Sequence, residues 1–160
     1  MLGDWTQRGD VRAAERFADW LGSLPVERVV VAGNHDACID AAFVGPEACR
    51  ATLQLLRDRC QYLENSEAAV RGLRIWGSPF TCWPPGAHPL QRPKWAHGHV
   101  RGLACDDLCA TIPAGLDIAV THTPPLGHGD AIDHGGHSGG CRELLLALQV
   151  IIIIVIIVKK

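Results

Sequence analysis

The sequence is short of several features that would assign a protein class at once. Its seven cysteines, Cys38, Cys49, Cys60, Cys82, Cys105, Cys109 and Cys141, include no C-x-x-C pair. Without such a pair, and with an odd, scattered set, neither a zinc knuckle nor a disulfide framework is supported. Free thiols in a reducing compartment are the expected state. Net charge is also scarce, −2 over 160 residues, so electrostatics give no reason to expect nucleic acid or an acidic membrane as partner. The start carries no basic segment followed by an apolar stretch, which argues against a secretory signal and for a cytoplasmic protein. The chain has no internal repeat, and no apolar run reaches the roughly 20 residues of a spanning helix. What remains is an apolar fraction of 48%, ample for the core of one domain.

Strand-like and helix-like patterns alternate along the chain. Asp10 can cap a helix to about Leu24, with Val11, Ala14, Phe17, Leu21 and Leu24 inward, Trp20 at the edge and Pro25 as its stop. Arg28 to Ala32 reads as a buried strand ending at Gly33. A second helix is expected from Pro46 to Arg59, with Leu53, Leu56 and Cys60 inward. Short strands follow at Gln61 to Leu63, Ala68 to Val70 and Leu73 to Trp76, with Arg71-Gly72 as a turn. The Pro-, Gly-, His- and Trp-rich stretch Gly77 to His99 is too irregular for an element. Val100 to Thr111 reads as a helix weakened by Gly102, Leu116 to Thr121 as a strand, Gly127 to Gly140 as a loop, and Cys141 to Gln149 as a short helix. This alternation predicts a layered α/β sandwich with polar residues on the loops after the strands.

The ending Ile151 to Val158, before Lys159-Lys160, consists only of isoleucine and valine. Eight consecutive β-branched residues suit a buried strand better than a helix, and exposed they invite aggregation. Such monotony marks a foreign ending, outside the ancestral fold.

Three polar groups stand where strands should end. They are Gly3-Asp4, Gly33-Asn34-His35-Asp36 behind Val29 to Ala32, and Thr121-His122-Thr123-Pro124-Pro125 behind Leu116 to Val120. Carboxylate, amide oxygen and imidazole are ligands for divalent metals. A phosphoester repels nucleophiles with its anionic oxygens, and two ions about 3.5–4 Å apart can clamp those oxygens and generate hydroxide near neutral pH. In such a site Asp4 is the candidate bridge, and Asn34 and His122 are candidate ligands of one ion. His35 is placed to protonate the departing alkoxide, and Asp36 to orient that imidazole and raise its pKa. His128 and His134, in a Gly/His loop, either close over a substrate phosphate or decorate a mobile surface loop. Trp76, Trp83 and Trp95 either stack on a nucleobase or pack the core, and Arg92 and Lys94 are a slight hint of phosphate steering.

Gly3-Asp4-x-x-x-x-Gly9, Gly33-Asn34-His35-Asp36 and Val120-Thr121-His122 resemble three of the five motifs of the calcineurin-like metallophosphoesterases. Gly77-Ser78-Pro79-Phe80, Thr121 to Gly127 and the helix phrase Phe17 to Pro25 resemble its metallophosphoesterase-domain-containing branch, likened to cyclic-nucleotide phosphodiesterases. The resemblance runs from about Gly3 to Leu148. It implies a four-layer α-β-β-α sandwich, incomplete at the N-terminal strand and the C-terminal strands. Residues 1–149 would form a partial phosphoesterase domain and residues 150–160 an apolar tail. It further implies Mn, Fe or Zn, two ions in the family, with Asp4 bridging, Asn34 and His122 on the second ion, and His35 as acid or transition-state stabiliser. The substrate would be a small phosphoester or nucleotide.

Two of the family's motifs are missing. Its Asp-x-His would precede Gly3, and its Gly-His-x-His would fall where the isoleucine run stands. Ala96-His97-Gly98-His99 lies at the wrong place in the order and reads as a substrate-loop or solvent-exposed pair, not as replacement ligands. The leading expectation is a phosphodiesterase-class hydrolase, in which metal-activated hydroxide attacks phosphorus while His35 assists the leaving group. The alternative is an inactive fragment or pseudoenzyme that binds a phosphate ligand, one metal or a protein partner.

Overall fold

The computed structural model describes residues 3–83, 96–99, 102–131, 139–149 and 154–155. Asp10 starts the first helix, α1 (Val11–Ser23), by accepting a hydrogen bond from Arg12 N at 3.0 Å, which satisfies one donor that a helix start leaves over. The helix stops at Leu24, ahead of Pro25. Its buried residues are Ala14, Ala18 and Leu21, whereas Val11, expected inward, is 44% exposed. The small alanines let the helix sit close to the sheet. Phe17, half-buried, stacks on Trp5 with ring centroids 5.0 Å apart.

Strand β1 (Val29–Val30) leads through Val31 into the Gly33 turn. After a 3-10 turn at Ala37–Ile39 come α2 (Ala41–Val44) and α3 (Pro46–Arg57), the latter with proline in its first turn. Strand β2 (Gln61–Tyr62) pairs parallel to β1. Strand β3 (Ser66–Val70) turns through Arg71-Gly72, both at positive φ, into the antiparallel β4 (Leu73–Ser78). In the stretch Gly77 to His99, read from composition as too irregular for an element, the described residues 77–83 and 96–99 include strands. Gly77 and Ser78 continue β4, and Thr81–Cys82 (β5) pairs parallel with Gly98–His99 (β6).

Helix α4 (Leu103–Cys109) begins after Gly102, whose φ of 84° places it before the helix and not within it. Strand β7 (Ile118–Thr121) pairs parallel with β4. Helix α5 (Arg142–Gln149) precedes β8 (Ile154–Val155), which pairs parallel with β7 from within the isoleucine tail. The larger sheet therefore has the order β3-β4-β7-β8.

Strand periodicity sorts the core into layers. Val31 faces Leu63, Ile75 and Val120 between the two sheets, while its neighbour Ala32 faces Ala14, Ala18, Leu56 and Tyr62 on the α1–α3 side. In β7 the adjacent Ala119 turns the other way, onto Phe80, Leu144 and Leu148 beside α4 and α5. Side chains of successive strand residues point to opposite faces, so two strands buried on both faces yield four layers, α-β-β-α. The sheets approach so closely that a Cβ on Gly77 would lie 2.8 Å from Leu63 Cδ1 and 2.9 Å from Val31 Cγ1. Among the described residues no helix is long and apolar enough to cross a membrane.

The cysteines are less scattered in space than in sequence. All seven are free, but Cys82, Cys105, Cys109 and Cys141 share the core between the larger sheet and α4–α5.

Candidate metal centre

Asp4, Asn34 and His122 reach one point from three loops. The Gly3 amide donates to Val31 O at 3.0 Å, which draws residues 3–6 along the end of β1. Gly3 (φ 36°) and Asp4 (φ 57°) both hold left-handed backbone, a conformation that Asp tolerates better than most residues and that concentrates at functional sites. The approach requires glycine on both sides. A Cβ on Gly3 would stand 2.7 Å from Ala32 C, and one on Gly33 would stand 2.6 Å from His122 Cε1, 2.7 Å from Asp4 N and closer still to Asp4 Oδ1.

Asp36, fully buried, locks this turn. Its Oδ2 accepts from Asp4 N at 2.7 Å and Gly33 N at 2.8 Å, and its Oδ1 from Thr6 N at 2.8 Å and Thr6 Oγ1 at 3.1 Å. Burial pushes its carboxyl up to about 6, with the bonds from Thr6, Gly33 and Asp4 pulling the other way. The expectation that Asp36 orients the His35 ring is corrected by this geometry. His35 Nδ1 instead donates to Gln7 O at 2.8 Å, while Thr6 Oγ1 donates to His35 O at 2.8 Å. The carbonyl fixes the ring without adding charge and turns Nε2 away from Gln7, on an exposed residue.

The three side chains lie close together. His122 Nε2 lies 2.8 Å from Asn34 Oδ1, across 88 residues of sequence, and 3.7 Å from Asp4 Oδ1. Asp4 Oδ1 also accepts from His35 N at 3.1 Å. Ligands about 2.0–2.2 Å from one ion at right angles stand about 3 Å apart, so one carboxylate, one amide oxygen and one imidazole fit a divalent ion here. Burial lowers the pKa of His122 against the pull of Asp4, which favours the neutral imidazole that a metal requires. The threonines beside His122 brace it: Thr123 Oγ1 donates to Phe80 O and accepts from Cys82 N, and His122 N donates to Ser78 O.

His97 escaped the sequence reasoning. It was expected on a substrate loop or in solvent, yet its Nε2 is buried and, among the described residues, has no hydrogen-bond partner. Burial lowers its pKa to about 4, with Asp40 opposing and His122 and His99 adding to the fall. Its amide donates to Asp40 Oδ2 at 2.9 Å, and the preceding Ala96 N donates to Asn34 O at 3.0 Å, so this segment packs on the Asn34 turn. The signal in the sequence was Ala96-His97-Gly98-His99 itself, set aside because of its order.

The expected substrate contacts fare differently. Trp83 is 7% exposed and lies so close to Gly98 that a Cβ there would meet its ring, and Trp76 is 1% exposed. Both pack the core and neither offers a face to a nucleobase. His128 is exposed on its turn, with its amide donating to Pro125 O at 3.1 Å. His134, Arg92, Lys94 and Trp95 lie outside the described residues.

The sequence matches the calcineurin-like phosphoesterase family model over residues 1–155. It is 36% identical to human metallophosphoesterase domain-containing protein 1, over 92% of this chain and 48% of that protein, and equally to the mouse protein of that name. A UPF0046 protein of Caenorhabditis elegans is 32% identical over 91% of this chain and 40% of its own length. The chain thus spans about half the length of the curated relatives it matches. One solved crystal structure superposes with a TM-score of 0.65 at 19% identity, covering 94% of this chain and 58% of that one, which speaks for the fold. With its four layers and the matched motifs, this chain belongs to the calcineurin-like phosphoesterase family.

Proposed function

We propose that this chain is a phosphodiester hydrolase acting on small phosphoesters or nucleotides, with Asp4, Asn34 and His122 as metal ligands and His35 as the acid for the leaving group. The observation that carries the reading is the meeting of Asp4 Oδ1, Asn34 Oδ1 and His122 Nε2. A divalent ion held there supplies positive charge against the phosphoryl oxygens and lowers the pKa of water. Asp36 and Gly33 keep Asp4 beside His122, and the Gln7 carbonyl holds His35 Nδ1 so that Nε2 delivers the proton. The free state of all seven cysteines supports a cytoplasmic setting.

The test is hydrolysis of bis-p-nitrophenyl phosphate with added Mn²⁺. His35→Ala should lower kcat by about 10²–10⁴-fold, the usual worth of a positioned acid, and leave Mn²⁺ affinity unchanged. Equal turnover by both proteins removes His35 from the reaction, and no Mn²⁺-dependent turnover at all rejects the hydrolase.

A further inference from the structure

The core beneath α4 and α5 holds an arrangement that the phosphoesterase centre does not use. Cys82, Cys105 and Cys141 are buried, and their sulfurs lie within 4.8 Å of one another, with Cys82 Sγ and Cys105 Sγ 3.4 Å apart. Cys109, one helical turn after Cys105 on α4, is buried in the same core. Cys141 is the hub on the α5 side, its sulfur lying within 4.8 Å of those of Cys82 and Cys105. Leu144 N, at the start of α5, donates to the same sulfur at 3.4 Å. An apolar core has no need of three thiols gathered this closely with a fourth one helical turn away, whereas sulfurs about one point are the donor set of a structural tetrahedral site.

We propose that Cys82, Cys105 and Cys141 form a second metal site, a structural one for a thiophilic divalent ion of the zinc class, with the neighbouring Cys109 drawn in as the fourth ligand. The four ligands come from β5, α4 and the turn before α5, so the ion ties both helices to the sheet. Binding forms four metal–sulfur bonds and breaks the S–H bonds, whose protons pass to solvent with no change of oxidation state. A route exists for both traffic directions. A cleft of about 380 Å³ between α4 and α5 opens on Cys109, with Asp106 and Glu143 on its lip. Glu143 Oε2 accepts from Cys141 Sγ at 3.2 Å, so a carboxylate already stands where cations enter and a proton leaves.

Refolding the reduced, metal-free chain with Co²⁺ tests the site, because thiolate ligation gives an ultraviolet charge-transfer band and intense tetrahedral visible bands. The oxygen and nitrogen donors of the Asp4 centre give no such charge transfer. One equivalent should raise the band, and the Cys105→Ser/Cys109→Ser double variant should lose it while still binding Mn²⁺. X-ray absorption of the zinc-loaded wild-type chain should show sulfur at about 2.3 Å, a readout that needs no variant. Cobalt bound without charge transfer, a band that survives in the double variant, or zinc surrounded by oxygen and nitrogen alone would each overturn the site.

Discussion

Gly33→Ala adds one methyl group at the point where the loops carrying Asp4, Asn34 and His122 meet. The new Cβ would lie 2.6 Å from His122 Cε1 and 2.7 Å from Asp4 N, about 1 Å inside ordinary contact distance. Neither neighbour yields freely. Asp4 N is tied to Asp36 Oδ2 at 2.7 Å, and His122 N follows β7 with its bond to Ser78 O at 3.2 Å. Overpacking of this kind costs about 1–3 kcal/mol, and the backbone contact places Gly33→Ala near the upper end. Relief by pushing Asp4 and His122 apart moves two of the three proposed ligands, and a displacement near 1 Å at a reacting site can cost about 10²-fold. Urea denaturation should therefore show the loss of stability, and calorimetric titration of the folded variant with Mn²⁺ should show affinity at least tenfold weaker. Unchanged stability refutes the packing argument. Lower stability with unchanged Mn²⁺ affinity refutes the placement of the ion between Asp4 and His122.

Two buried groups titrate in opposite senses. Asp36 is raised to about 6, so the folded state holds its proton more tightly than the unfolded chain, and about 3 kcal/mol of stability is lost as pH rises from about 4 to 6. His97 is lowered to about 4, so the unfolded chain takes up the proton first, and a similar stability is lost as pH falls from about 6.5 to 4. Across that window His97→Asn should make stability fall more steeply with rising pH than in the wild type, and Asp36→Asn should make it rise more steeply. Denaturation midpoints at half-unit pH steps will read the slopes, and slopes that move the other way would defeat this assignment. Asp10→Ala removes the cap on Arg12 N and should cost about 0.5–2 kcal/mol with metal affinity intact, as measured by the same urea and calorimetric assays.

Local chemistry made much of the fold legible. Asp10 and Pro25 bracket α1, Pro46 opens α3, and Arg71-Gly72 turns β3 into β4 because each acts within a few residues of itself. Strand periodicity likewise exposed Val29 to Val31 and Ile118 to Thr121, although Val11 went to the wrong face because only packing decides which edge of an apolar stripe is covered. Asn34 and His122 could be named because each follows an apolar strand in a recognisable motif, and Asp4 because it stands in Gly3-Asp4-x-x-x-x-Gly9; His122 Nε2 meets Asn34 Oδ1 and lies 3.7 Å from Asp4 Oδ1.

The sequence by itself determined the order of elements, the motif residues and the family they resemble. Tertiary structure decided their working relations. It gave Asp36 four donors from the turn and left His35 to the Gln7 carbonyl, because hydrogen bonds form between groups that folding brings within about 3 Å whatever their spacing in the chain. It buried Trp83 and the Nε2 of His97, whose stretch looked irregular, because pairing of β5 with β6 is a long-range event with no local signal. It also gathered four cysteines with no spacing motif into one core, since sulfur atoms meet through the packing of β5, α4 and α5 and not through distance along the sequence.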